Sequence, residues 1–216
     1  MDQRSKLYYF ADPMCSWCYG FSPVIAEIRR TYGRALPIRL VMGGLRPGTE
    51  TVMTDEAKAE IRGHWEHVRE AAGVPFSPDA MSAPDFRYDT DPAARAVVRV
   101  RREDPDQALA YLGRVQRAFY AEGQDVTRPE VLADLAIEHG IDRAAFLDGF
   151  EADDLKQETW ADYGVSQRAG VRGFPTLVGG PDANGVYGVV TRGFQPGADV
   201  LSVLHRWLDA SPAGTA

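Results

Sequence analysis

The chain has 216 residues, of which 44% are hydrophobic, and its 24 Lys and Arg against 31 Asp and Glu give a net charge of -7. This composition predicts one globular domain that buries a core without disulfide staples, so its two cysteines need another explanation. No apolar run approaches the roughly 20 residues that cross a bilayer. The acidic balance disfavours phosphate backbones, so we expect neither a membrane nor a nucleic acid as partner.

The first part of the chain predicts a strand, a helix and a second strand. Leu7 to Ala11 form an aromatic-rich apolar run that is ended by Asp12-Pro13. From Phe21 to Tyr32 apolar residues recur at helical spacing, and Gly33 ends the pattern. Ile38 to Met42 form a second apolar run, typical of a strand covered on both faces. We expect a βαβ unit with two parallel strands.

The middle of the chain predicts helices only. For about a hundred residues after Gly48 the apolar residues follow helical spacing. Thr127 and Glu130 have the spacing of a capping box, and Asp142 is placed to cap another short helix.

Strand patterns return at 174–178 and 186–190, and the turn-rich residues 182–185 between them favour an antiparallel hairpin. A final amphipathic helix carries Val200 and Leu204. The order is therefore β, α, β, a block of helices, then β, β, α. With no linker in the sequence, this order predicts one α/β domain with inserted helices.

Both cysteines lie in Cys15-Ser16-Trp17-Cys18, between the first strand and the first helix. Thiol exchange needs a thiolate that attacks and a nearby thiol that resolves the mixed disulfide, and an i, i+3 pair in a first helical turn provides both. Cys15 lies at the positive end of the helix dipole, which stabilises a thiolate, whereas Cys18 lies one turn deeper. We predict that Cys15 attacks and Cys18 resolves.

Two other interpretations of the cysteines are weaker. A zinc site would need His64 and His67, which fit a solvated helix face better, so we expect no metal. A structural disulfide is disfavoured in a reducing compartment, and the short apolar run before Asp12 does not form a secretory signal, so we expect the chain in the cytoplasm. Asp12 itself either opens a turn or takes part in proton transfer, and Asp before Pro13 favours the turn.

Pro175 begins an otherwise good strand, where it cannot donate a hydrogen bond to a neighbouring strand. The segments 12–23 (DPMCSWCYGFSP) and 173–176 (GFPT) together resemble the DsbA-like branch of the thioredoxin superfamily, in particular its FrnE-like, largely intracellular subgroup. The resemblance covers nearly the whole chain. It implies a thioredoxin fold formed by 1–48 and 156–209, with an all-helical insertion at 49–155 that shapes the substrate cleft and a disordered tail at 210–216.

The resemblance also implies the site and the activity. The Phe174-Pro175 bond would be cis and face the cysteines, and an extended substrate would bind there and at Ser16 and Trp17 like an added strand. The implied activity is that of a thiol:disulfide oxidoreductase, of reductase or isomerase type, acting on proteins or small molecules that carry thiols or disulfides. No metal or organic cofactor is implied beyond the redox-active disulfide of Cys15 and Cys18, with glutathione as a candidate co-substrate.

Ser16-Trp17 differ from the Gly-Pro of thioredoxins and the Pro-His of DsbA, so no reduction potential carries over. The alternative is a glutathione-dependent isomerase or transferase acting on small apolar substrates, similar to 2-hydroxychromene-2-carboxylate isomerase or the kappa-class transferases. These relatives usually have serine at the attacking position, so Cys15 argues against them. A redox-inactive peptide-binding module is a third possibility. The sequence leaves the oligomeric state and the physiological substrate open.

Overall fold

The structure, a computed structural model, describes residues 6–182 and 185–210. A four-stranded sheet contains β1 (Leu7–Ala11), β2 (Ile38–Met42), β3 (Thr176–Gly179) and β4 (Gly188–Arg192), in the spatial order β2-β1-β3-β4. The α-helices in these residues are α1 (Ser16–Tyr32), α2 (Asp55–Ala72), α3 (Asp91–Glu103), α4 (Ala108–Tyr120), α5 (Pro129–Ile137), α6 (Arg143–Phe150), α7 (Asp153–Arg168) and α8 (Gly197–Ala210).

The predicted βαβ unit is present. β1 and β2 run parallel, with Leu7 opposite Ile38 and Ala11 opposite Met42, and α1 connects them. α1 begins at Ser16, ahead of the apolar stripe, because Cys15 already serves as its N-cap residue. β3 pairs antiparallel with both β1 and β4, which completes the predicted thioredoxin fold.

The strands of the hairpin differ from the prediction by about two residues. β3 begins at Thr176 instead of residue 174, because Pro175 has no N–H with which to join the ladder. β4 lies at Gly188–Arg192 instead of 186–190. Residues 183–184 of the predicted connection lie outside the described residues.

The insertion between β2 and β3 is helical, as predicted. Asp142 caps α6 by accepting a hydrogen bond from the Ala145 N–H at 2.9 Å. The capping box at Thr127 is wrong, because Asp125 accepts hydrogen bonds from both the N–H and the hydroxyl of Thr127, and α5 begins only at Pro129. The domain division stays a prediction. Its boundary at 155/156 lies within α7, and all but Ala210 of the predicted tail lies outside the described residues.

Aromatic side chains join the insertion to α1. Tyr19 of α1 stacks on Tyr120 of α4 with ring centroids 5.1 Å apart, and it contacts the edge of Phe76 at 5.5 Å. Trp65 of α2 packs on both of these insertion residues. The core of the sheet and the core of the insertion therefore form one continuous apolar cluster. None of the described helices combines the length and the apolar character needed to cross a membrane.

The outer edge of β2 is covered by side chains instead of another strand. Asp162 of α7 accepts a hydrogen bond from the Met42 N–H at 2.9 Å. Arg101 of α3 donates to the Leu40 carbonyl at 3.1 Å and forms an ion pair with Asp162 at 2.7 Å. Because unpaired strand edges invite association with other chains, these contacts both protect β2 and fix α3 and α7 against it.

Replacing Asp162 should therefore destabilise the fold. Asp162→Ala leaves the Met42 N–H without an acceptor and removes one of the two carboxylates that pair with the half-buried Arg101, which keeps Glu158. We expect the free energy of unfolding to fall by about 1 to 3 kcal/mol. The control is Asp154→Ala, since Asp154 pairs with Arg102 but its side chain is 72% exposed, and its loss should leave the free energy of unfolding almost unchanged. Urea denaturation measures both, and equal losses would contradict the role of Asp162.

Candidate active site

The two cysteines lie at the start of α1, directly after the turn that follows β1. Cys15 has an extended backbone, with φ −94° and ψ 115°, and its carbonyl accepts the Tyr19 N–H at 3.0 Å. Cys15 is 7% exposed and Cys18 is 0% exposed, and both are free thiols. Cys15 is therefore next to the unpaired N–H groups of the helix terminus, with Cys18 one turn further into the protein.

Phe174 and Pro175 face Cys15 from the start of β3. The Cys15 Sγ lies 3.6 Å from the Phe174 carbonyl oxygen, and the Phe174-Pro175 bond is cis. The Phe174 ring packs on the backbone of Gly43, where an added Cβ would lie 2.3 Å from the ring. The glycine that follows β2 therefore allows the ring to approach, and the ring in turn places the Phe174 carbonyl beside the thiol.

Trp17 and Ser16, predicted to bind substrate, are half-buried beside Cys15. Trp17 packs on Phe194, which lies between β4 and α8, with ring centroids 5.3 Å apart. Phe194 also contacts the edge of Phe21 at 6.4 Å. The sequence assigned no role to Phe194, because an aromatic residue between a strand and a helix carries no motif of its own.

Tyrosine hydroxyls from the insertion lie close to the cysteine turn. The Tyr88 hydroxyl donates to the Met14 carbonyl at 2.7 Å and lies 3.3 Å from the Tyr120 hydroxyl. The Arg46 guanidinium lies over the Tyr88 ring, 5.2 Å from its centroid. Burial raises the pKa of both tyrosines, so both hydroxyls keep their protons at neutral pH. The sequence missed this pair, since nothing in the residue pattern around Tyr88 or Tyr120 indicates that their hydroxyls reach the turn before α1.

The family model of the DSBA-like thioredoxin domain matches residues 6–208. The chain belongs to this family. The predicted DsbA-like membership is therefore confirmed.

Among solved structures, a Nitrosomonas europaea protein, provisionally described as a protein disulfide isomerase, is 35% identical to this DsbA-like chain. The match covers 97% of this chain and 100% of that one, with a TM-score of 0.87. The cytosolic disulfide reductase DsbM from Pseudomonas aeruginosa is 26% identical, over 95% of this chain and 99% of its own, with a TM-score of 0.77. The ClpXP adapter protein SpxH of Halalkalibacterium halodurans is 20% identical, over 98% of this chain and 72% of its own.

The environment of Cys18 favours its thiol form. Burial is the main reason why its pKa is raised well above the ordinary value, and a hydrogen bond and the charge of Cys15 raise it further. A backbone N–H of Asp12 opposes this effect. Cys18 therefore stays protonated while Cys15 is free.

Asp12 forms the predicted turn and also holds the loop after β2. Its Oδ1 accepts the Met14 N–H at 2.9 Å within the turn, and its Oδ2 accepts the Leu45 N–H at 2.8 Å from the loop after β2. The residue is fully buried, and burial raises the pKa of its carboxyl to about 6 in spite of these hydrogen bonds. A carboxyl that titrates near neutral pH, close enough to Cys18 for its charge to act on that thiol, is suited to exchange protons.

The histidines considered as zinc ligands are elsewhere. His64 and His67 are exposed on α2, whereas both cysteines are buried. Within residues 6–182 and 185–210, no group of three or more His, Cys, Asp or Glu side chains is arranged to hold a metal ion.

The raised pKa of Asp12 predicts a pH-dependent stability. Between about pH 4 and pH 6 the folded protein retains a proton at Asp12 that the unfolded chain has lost, so the contribution of Asp12 to the unfolding free energy decreases as pH rises. The shift corresponds to about 3 kcal/mol. Urea denaturation of the wild type and of Asp12→Asn should show the difference in stability moving by about this amount, in favour of the variant, from pH 4 to pH 7. A difference that is independent of pH would contradict the prediction.

Proposed function

We propose that the chain is a thiol:disulfide oxidoreductase of reductase or isomerase type that acts through Cys15 and Cys18. The observation that carries this proposal is the position of the Cys15 Sγ, at the N-cap of α1 and 3.6 Å from the Phe174 carbonyl. An extended substrate lying along Phe174 would bring its disulfide to that sulfur. The second thiol, Cys18, is buried behind it and protected from reaction with other molecules.

The proposed reaction is a two-step exchange. The Cys15 thiolate attacks one sulfur of a substrate disulfide, so a Cys15–substrate disulfide forms and the other substrate sulfur leaves as a thiolate. Cys18 loses its proton and attacks the Cys15 sulfur, which forms the Cys15–Cys18 disulfide and releases the second substrate thiol. The substrate gains two electrons and the protein loses two.

Asp12 is the proposed acceptor of the Cys18 proton. Its carboxyl has a pKa of about 6 and is therefore ionised at neutral pH, and its charge acts on Cys18 directly. The Tyr88 and Tyr120 hydroxyls have raised pKa values and keep their own protons at neutral pH, so they have no free site for the Cys18 proton and do not compete with Asp12.

The substrate cleft would be formed by Ser16, Trp17, Phe174 and Pro175, with Phe194 supporting the Trp17 ring. Proteins or small molecules with thiols or disulfides are the proposed substrates. Two glutathione molecules would return the disulfide to the dithiol and leave as oxidised glutathione, without a metal or organic cofactor. The structure of DsbM with GSH supports glutathione as co-substrate, and the similarity to this cytosolic reductase supports a role in the cytoplasm.

Cys18→Ser should trap the first intermediate. Without a resolving thiol, the mixed disulfide between Cys15 and the substrate persists, and disulfide reductase turnover should fall at least about 100-fold, because the second step is lost. Incubation with oxidised glutathione followed by intact-mass spectrometry should show one glutathionyl group on the variant and none remaining on the wild type.

Cys15→Ser is the control for this experiment, because the chain has two cysteines and the variant retains only Cys18, which is fully buried. It should acquire no adduct on the same timescale. A Cys18→Ser variant that keeps full activity toward small apolar substrates in the presence of glutathione would contradict the dithiol mechanism and favour the glutathione-dependent isomerase.

The direction of the reaction predicts the reduction potential. A reductase should have a Cys15–Cys18 potential near that of thioredoxin, about −270 mV. Equilibration in glutathione buffers of graded composition, followed by thiol alkylation, measures this value. A potential between about −120 and −180 mV would overturn the reductase assignment and indicate an oxidant or isomerase.

A further inference from the structure

A cleft of about 330 Å³ lies between α1 and α4, and the mechanism proposed above does not use it. Its walls are mainly apolar and include Ile25 of α1 and Leu109 and Leu112 of α4. Tyr9 of β1 also lines it. The volume is at the lower end of the range for small-molecule sites and suits a molecule of roughly a dozen non-hydrogen atoms.

Two residues that disfavour helices line opposite sides of this cleft. Pro23 lies inside α1, where it cannot donate to the Tyr19 carbonyl, and the Ser22 hydroxyl satisfies that carbonyl instead at 2.7 Å. Gly113 lies in the middle of α4, and a Cβ built on it would meet nothing within 4 Å. Alanine at residue 113 would make α4 more stable. The glycine therefore leaves space in the cleft and lowers the stability of the helix.

Two of the polar side chains that line the cleft carry hydrogen-bond donors without a partner in the part of the chain that the structure describes. Gln116 is 1% exposed and lines the cleft, and its Nε2 is buried without a hydrogen-bond partner. A buried amide donor without an acceptor is costly and rare in a folded protein. Arg29, which also lines the cleft, forms no ion pair with any of the described residues. An apolar cleft with an unpaired amide donor and a free guanidinium is complementary to an apolar molecule that ends in a carboxylate.

We propose that the cleft between α1 and α4 binds a small amphipathic carboxylate. The apolar part of the ligand packs between Ile25 and Leu112, next to Gly113. Its carboxylate pairs with the exposed Arg29 guanidinium, and the Gln116 amide turns its Nε2–H toward the carboxylate. Cys15, Cys18, Phe174 and Pro175 do not line this cleft, although Tyr9, which does, is hydrogen-bonded to Cys18.

The test uses the full chain and the probe 4-phenylbutyrate, titrated by NMR chemical shifts, with 4-phenylbutanamide as the neutral match. A ligand of this size should bind the wild type with a dissociation constant of about 1 mM. Because the amide lacks the charge that pairs with Arg29, we expect it to bind at least fivefold more weakly. Equal affinity of acid and amide, or no binding of the acid, would overturn the proposal.

Variants locate the binding. Gly113→Leu fills the cleft and should weaken binding at least tenfold. Gly63→Leu is the control, because Gly63 is an exposed residue of α2 whose built Cβ also meets nothing within 4 Å. Arg29→Gln should weaken acid binding about fivefold, whereas Arg30→Gln, one residue along the same helix, should not.

Circular dichroism checks that each variant is folded. Gly113→Leu should melt no lower than the wild type, since leucine favours helix more than glycine does. If Gly113→Leu is folded and binds the acid as well as Gly63→Leu does, the site is not in this cleft and the proposal is wrong. Neither result depends on the redox activity, because both variants keep Cys15 and Cys18.

Discussion

The buried carboxyl group of Asp12 joins three segments that surround the cysteines: the turn between β1 and α1, the loop after β2 and the start of α3. One oxygen holds the turn between β1 and α1 through Met14, and the other holds the loop after β2 through Leu45. The Thr90 side chain, at the start of α3, is also hydrogen-bonded to it. Burial of a carboxyl is costly, and its raised pKa shows that these bonds only partly offset the cost. The site therefore retains an unfavourable group at the place where the proposed reaction moves a proton.

The helical insertion contacts the site on one side, and the segment after β4 contacts it on the other. Tyr88 and Tyr120 bring buried hydroxyls to the carbonyl of the residue before Cys15, and the stacking of Tyr19 on Tyr120 fixes the first turn of α1. On the opposite side, Phe194 supports Trp17. A rigid, largely apolar environment of this kind lowers the effective dielectric constant around the sulfurs, so the charge of one cysteine acts more strongly on the other.

The sequence predicted those elements that depend on neighbouring residues alone. The strands at Leu7–Ala11 and Ile38–Met42 are continuous apolar runs, and both occur where predicted. The capping box at Thr127 failed because Asp125, two residues earlier, competes for the same hydrogen bonds. Tyr88, Phe194 and the second hydrogen bond of Asp12 were missed because each depends on a contact between distant segments. One sequence without relatives contains no signal for such contacts, whereas the cysteine pair carries its chemistry in its own spacing.

The different roles of the two thiols follow from how the environment of each thiol changes during the proposed reaction. While Cys15 is free, a hydrogen bond from it and the charge that it carries as a thiolate help to raise the pKa of Cys18. When Cys15 becomes bonded to a substrate sulfur, its charge is lost and that contribution ends. Burial and the charge of Asp12 still hold the Cys18 pKa up, whereas the backbone N–H of Asp12 favours the thiolate. The loss of the Cys15 charge therefore makes it easier for Cys18 to lose its proton at the second attack. Asp12, ionised above about pH 6, is close enough to accept that proton. In the proposed reaction, the order of the two attacks is thus a consequence of electrostatics within the site.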